Sequence, residues 1–123
     1  ELHGSVHRNY CMKCHQFYDL DFMIKGEGVP RCPVCGGTIK PDVVLYEESL
    51  DQETIEAAVL AISRADMLII GGTSLAVYPA AGLIRYYRGK KLTLINKSPT
   101  PYDREADLVI NAPIGEVLGA IRV

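Results

Sequence analysis

The chain has 123 residues, 48% of them hydrophobic and 23% charged, with a formal net charge of −2. That length gives one modest domain or a part of a larger one, and the balance is ordinary for a soluble globular chain. The slightly acidic net charge argues against the basic patch of a nucleic-acid-binding surface, and an apolar stretch such as Met67 to Ile70 is far too short to span a bilayer.

The chain begins with Glu1 rather than Met, and residues 1–7 read as the end of a strand, which points to a piece of something longer. Residues 8–41 form a cysteine module. Cys11, Cys14, Cys32 and Cys35 are all the cysteines present, arranged as two Cys-x-x-Cys pairs with seventeen residues between them. Each pair puts two thiolates on one side of a tight turn, and two such turns together make the tetrahedral sulfur cage that Zn²⁺ prefers in structural sites. Pro33 between the second pair and Gly36-Gly37 after it supply the turn chemistry of a knuckle.

Other chemistries stand beside zinc. Two disulfides need an oxidising compartment, and nothing resembling a signal peptide precedes the cysteines, so a cytoplasmic location with free thiolates is expected. Cys11-Met12-Lys13-Cys14-His15 also matches a haem-attachment pattern, but that motif leaves the second pair unused. A redox dithiol needs only one pair. Zinc accounts for both. A closed four-thiolate site stabilises a fold and leaves no open position for chemistry, so the metal by itself does not indicate a function.

Between the pairs, residues 17–24 are aromatic and partly alternating, which suits a short strand or hairpin arm. After Pro41 the texture changes. Val43-Val44-Leu45-Tyr46 is a β-rich run, and Asp51 is a candidate N-cap for a helix reaching Arg64. Ile55, Ala58, Val59 and Ile62 recur at three and four residues and give that helix one buried face. Residues 67–70, 92–96 and 107–110 read as apolar strands, separated by a helix over 79–87 and followed by one over 115–121. Apolar strands alternating with helices imply a parallel sheet, so the expected fold is doubly wound α/β, with residues 42–123 Rossmann-like and the zinc module inserted before them.

Ligands of such sheets bind beyond the carboxyl ends of the strands, here Gly71-Gly72-Thr73-Ser74, Asn96-Lys97-Ser98 and Asn111-Ala112-Pro113-Ile114. Glycines admit a phosphate or ribose to the backbone and hydroxyls can donate to it. A plain strand-to-helix turn accounts for the glycines equally well.

As an ordered set the motifs resemble the sirtuins, NAD-dependent protein lysine deacylases of bacterial type. The matching residues are His3-Gly4-Ser5, the two cysteine pairs, residues 40–44, Gly72-Thr73-Ser74-Leu75 with Val77 and Pro79, and Asn96-Lys97. The resemblance covers essentially the whole chain, but only the C-terminal portion of the family: its Gly-Ala-Gly-x-Ser nucleotide loop and Asn-Ile-Asp stretch do not occur here. Tyr46-Glu47-Glu48 also stands where the family usually has Phe-Gly-Glu.

The resemblance implies transfer of the acyl group of acyl-lysine to ADP-ribose with release of nicotinamide. It assigns His3 as the general base, a task that suits an imidazole near neutral pH. It puts Gly72, Thr73 and Ser74 at the phosphates or adjacent ribose of NAD, Asn96 and Lys97 at the adenosine ribose, and Ile114 at the adenine. Val44 and Tyr46 would line the tunnel for the acyl-lysine stem, with Glu47 and Val77 in the segments that grip the peptide backbone. The implied partners are an acyl-lysine protein or peptide and the missing N-terminal half, without which this chain is expected to be inactive. Two other readings remain: a non-catalytic zinc-ribbon interaction module on an α/β scaffold, and an ADP-ribosyl-transferring relative.

Overall fold

Two separate ladders organise the chain, an antiparallel one built around the cysteines and a parallel one built from the apolar runs. The computed structural model describes residues 1–122. They fall into two compact units, Glu1–Thr54 and the residues from Ile55 onward.

In the first unit, β1 (Gly4–Cys11) lies between β2 (Phe17–Tyr18) and β3 (Ile39–Val43), and both pairings are antiparallel. The β1–β3 ladder runs from Cys11 opposite Ile39 to Gly4 opposite Val43, with its register interrupted between Ser5 and Asn9. Pro41, which has no amide proton to give a ladder, faces Asn9 at that irregularity. Asn9 is 1% exposed, and its Nδ2 donates to the Val6 carbonyl at 3.0 Å and the Tyr18 carbonyl at 3.2 Å, tying the irregular stretch to β2. Arg8 binds Asp42 at 2.9 Å and Glu1 at 2.6 Å across the same stretch. Such exposed pairs are individually worth little.

The first unit departs from its sequence pattern in three places. His3 is not at a strand's end but in the turn that enters β1, where the Gly4 amide donates to the Glu1 carbonyl at 3.0 Å. Only Phe17 and Tyr18 of the expected arm are strand, and Leu20–Lys25 form the helix α1. Asp19 decides this, because its side chain accepts from the Phe22 amide at 2.8 Å and caps the helix. The strand over 43–46 ends at Val43, and Leu45 to Glu48 make a tight turn closed by a 3.1 Å hydrogen bond from the Glu48 amide to the Leu45 carbonyl.

Asp51 caps α2 (Gln52–Arg64) as expected, accepting from the Thr54 amide at 2.8 Å. Ile55, Ala58, Val59 and Ile62 all lie on the half-buried side of that helix. In the second unit β4 (Leu68–Gly71), β5 (Leu92–Ile95) and β6 (Leu108–Ile110) form a parallel sheet in that order. All of β5 is buried, as the central strand of a covered parallel sheet should be.

Side chains of Leu68, Ile70, Leu92 and Leu94 share one face and pack with Leu75 and Ile84. Ile84 comes from the segment expected as a helix over 79–87, which is a 3₁₀ helix, Ala80–Tyr86. The helix α3 (Ile114–Gly119) follows β6. On the opposite face Ile69 and Leu108, register neighbours of Thr93, are each 50% exposed. Among the described residues no helix is long and apolar enough to cross a membrane.

Leu94 is the most buried of the large apolar side chains in the second unit, at 1% exposure. Leu94→Ala removes its packing and leaves a cavity between β5 and the 3₁₀ helix. It should lower unfolding stability by about 2–5 kcal/mol, read as a shifted urea midpoint at unchanged slope.

Candidate functional site

The cysteines do converge. Their sulfurs all lie within 4.8 Å of one another, and all four are free thiols. Cys11 Sγ is 3.4 Å from Cys35 Sγ, and Cys14 Sγ is 3.6 Å from Cys32 Sγ. A tetrahedral Zn²⁺ with bonds of about 2.3 Å holds its sulfurs about 3.8 Å apart, so the cage has the right size. Two matching turns build it. The His15 amide donates to the Cys11 carbonyl at 2.9 Å and the Gly36 amide to the Cys32 carbonyl at 2.8 Å. Each turn ends in the left-handed region, at φ 59° for His15 and 71° for Gly36. His15 therefore serves the knuckle through its backbone, with its side chain exposed.

The electrostatics of the cage also ask for a cation. Tyr18 Oη is 3.0 Å from Cys32 Sγ, and this hydrogen bond first, with backbone amides behind it, draws the Cys32 thiol down to about 6. The Tyr18 hydroxyl is raised in turn by that same bond. Cys14 goes the other way, up to about 12. The Gln16 amide favours its thiolate, but bonds to Cys35, Cys11 and Cys32 together with desolvation outweigh it. Four thiolates this close repel one another unless a dication sits among them. Residue type, spacing, sulfur separation and charge all fit zinc. Tyr18 was not singled out by the motif, since a tyrosine in an aromatic run reads as packing; only its hydroxyl's approach to Cys32 reveals the outer-shell role.

At the other end of the β1–β3 ladder the His3 carbonyl accepts from the Val44 amide at 3.1 Å, so the candidate base and a candidate tunnel residue are joined through backbone. The His3 side chain is exposed and Val44 is half-buried. Gly4 makes the approach feasible: it has φ +77°, and a Cβ there would overlap the Asp42 carbonyl oxygen. Tyr46 and Glu47 occupy the centre of the 45–48 turn, Tyr46 fully exposed at 101% and Glu47 at φ 68°. Glu48 anchors this turn, accepting from the Leu45 amide at 3.0 Å and pairing with Lys40 at 3.0 Å.

In the second unit the expected nucleotide residues gather at one end of the parallel sheet. The Gly72 amide donates to the Ile95 carbonyl at 3.0 Å and the Asn96 amide to the Ile110 carbonyl at 3.1 Å, carrying the ladder one residue beyond β4 and β5. Gly72, Thr73, Ser74 and Lys97 are exposed there, and Asn96 is half-buried with its Nδ2 on the Ser98 carbonyl at 2.8 Å. Ile114 packs directly on Gly71, where a Cβ would overlap its side chain. The loop holds two left-handed residues, of which only the non-glycine, Leu75, is strained. Gly72 lies at φ 66°, and Leu75, 7% exposed and packed in the core, lies at φ 52°. The Leu75 amide donates to Thr73 Oγ1 at 3.2 Å. A buried leucine in the left-handed region persists only where its surroundings hold it. Val77 follows, 67% exposed.

Comparison with known proteins bears on both units. A Sir2 family model matches residues 1–79. An NAD-dependent protein deacetylase of Clostridium perfringens is 66% identical over 98% of this chain and 50% of its own length. One from Staphylococcus aureus strain Mu50 is 46% identical over 98% of this chain and 49% of its own. A solved Sir2–p53 peptide–NAD⁺ complex, 37% identical, superposes with a TM-score of 0.78 over 95% of this chain and 51% of that one. A sirtuin structure concerned with substrate affinity, 38% identical, gives 0.87 over 95% and 50%. The chain spans about half the length of the curated relatives it matches.

Two outcomes test these sites. Metal analysis should find one zinc per chain, and a strong chelator should melt Glu1–Thr54, seen as loss of amide exchange protection in β1 and β3; a protected, zinc-free chain would contradict the cage. Gly4→Ala, which meets both a left-handed φ and the Asp42 carbonyl, should cost at least about 2 kcal/mol and shift the amide resonances of His3 and Val44.

Proposed function

Because the chain belongs to the Sir2 family, we propose that it forms half of an NAD-dependent protein lysine deacylase and carries that enzyme's general base, His3. The observation that carries the reading is the backbone link between His3 and Val44 at the end of the ladder whose other end holds the zinc cage. Zinc, held by Cys11, Cys14, Cys32 and Cys35, is structural in this reading. The ladder spans eight residues of β1, about 25 Å if extended, which is far beyond the reach of a metal-bound water.

NAD fits the carboxyl end of the parallel sheet: Gly72 leaves the backbone open, Thr73 and Ser74 offer exposed hydroxyls, and Ile114 gives an apolar wall beside Gly71. Bound there, NAD supplies an electrophilic ribose carbon and nicotinamide as leaving group. Asn96 and Lys97 would hold the adenosine ribose. His3 would serve as the general base for a ribose hydroxyl of the bound cofactor. Its imidazole is exposed and its main chain is held by the Val44 amide, which leaves the ring free for that task.

The substrate is an acyl-lysine peptide gripped through its backbone by strand addition, for which the first unit offers residues 47–49, with Val44 and Tyr46 for the acyl-lysine stem, and the second unit offers residues 75–77 with Val77. Tyr46, which contacts little else in the first unit, has its ring available for this. Activity also calls for a segment of the relatives' remaining length, bearing the pyrophosphate loop and the nicotinamide pocket. The half-exposed Ile69 and Leu108 face is apolar surface of the kind such a segment covers. The cell compartment consistent with four reduced thiols is the cytoplasm.

The test is nicotinamide release by the full-length protein. It should occur only when NAD and acetyl-lysine peptide are both present, and His3→Ala should lower kcat by about 10²–10⁴-fold, the usual worth of a general base, with peptide affinity retained. Nicotinamide release with NAD alone would favour ADP-ribosyl transfer, and no response to NAD would favour a zinc-ribbon interaction module.

A further inference from the structure

Between Lys40 and Arg64 the chain has six carboxylates and no lysine or arginine. Several are committed within the fold. Asp42 pairs with Arg8, Glu48 with Lys40 and the Leu45 amide, and Asp51 caps α2. Glu47 is different. Its side chain is exposed, and it makes no hydrogen bond or ion pair with any described residue.

Its backbone makes that freedom costly. Glu47 is the third residue of the 45–48 turn and lies at φ 68°, a place that tight turns reserve for glycine or asparagine. A glutamate there gives up about 1 kcal/mol or more against glycine, and its side chain returns nothing to the fold. The neighbouring Glu48 cannot substitute for it, since both its oxygens are already engaged by Lys40. The turn thus presents one uncommitted negative charge beside the fully exposed Tyr46.

We propose that Glu47 is a specificity-determining residue that selects acyl-lysine peptides carrying a basic residue next to the modified lysine. This rests on the deacylase reading, in which residues 47–49 lie along the bound peptide strand. Side chains on paired strands neighbour one another at about 5–7 Å, so a lysine or arginine flanking the acyl-lysine is attracted by the Glu47 carboxylate, and an acidic residue there meets repulsion of equal size. In water-exposed surroundings a unit charge at that range is worth about threefold in affinity, and salt diminishes it. The preference is one of charge and tolerates lysine and arginine alike.

The experiment uses the full-length protein and acetyl-lysine peptides that differ only in one flanking residue, Lys, Gln or Glu. At low ionic strength kcat/KM should fall about threefold at each step from Lys to Gln to Glu, and the spread should shrink at high salt. Glu47→Gln keeps the side chain's shape and the turn's strain while removing the charge, and should bring the three peptides to equal kcat/KM. Glu47→Gly, which suits the turn's backbone, should do the same and guards against a folding defect in the first variant. Equal values in the parent protein, or a spread that persists in both variants, would overturn the assignment of Glu47 alone. Absence of turnover with all three peptides would overturn the deacylase reading and this proposal with it.

Discussion

Four sulfurs drawn within 4.8 Å of one another are the constraint from which the first unit takes its form. Thiolates at that spacing hold together only around a cation, and the two turns that carry them have almost no other core: Cys11, Cys32 and Ile39 are its buried residues. With the cage closed, Cys11 ends β1 opposite Ile39 at the start of β3. The ladder then propagates to Gly4 and Val43, and His3 with Val44 is set one step beyond. The cage at one end of the ladder therefore fixes the register that joins His3 and Val44 at the other.

The second unit rests on a different force. Its parallel sheet is held by apolar burial around β5, and the strained stretch from Gly72 to Leu75 is tolerated because Leu75 is anchored in that core. One residue serves both roles: its side chain packs with Leu92 and Leu94 while its backbone turns Thr73 and Ser74 outward. Stability and site geometry are coupled at that leucine, as they are at Gly4 in the other unit. Each position pairs an unusual φ with a close neighbour.

Surface charge adds a further layer. The Glu1–Arg8–Asp42 pairs tie the entry turn of β1 to β3, and Lys40–Glu48 secures the 45–48 turn from the same strand. These are exposed contacts whose value lies in orientation more than in free energy. They leave Glu47 uncommitted, and that contrast gives an otherwise ordinary acidic stretch its meaning.

The zinc ligands, the parallel strands and the cap at Asp51 were legible in residue order alone, because thiolate spacing, continuous apolar runs and an acidic N-cap are local signals. The motif order also carried the family. Tertiary structure decided the rest, where several local preferences compete. Residues 17–24 alternate like a strand, yet the Asp19 cap turns most of them into helix. Val44 is β-branched and Tyr46 aromatic, yet the ladder ends at Val43. The segment 79–87 keeps an apolar spacing that α and 3₁₀ geometry both accommodate. Glu47 and Leu75 sit at positive φ with side chains that give no hint of it. The hydroxyl of Tyr18 reaches Cys32 only after β2 has paired with β1. A contact made by the meeting of distant segments, or a backbone angle imposed by them, leaves no trace in the residue types themselves.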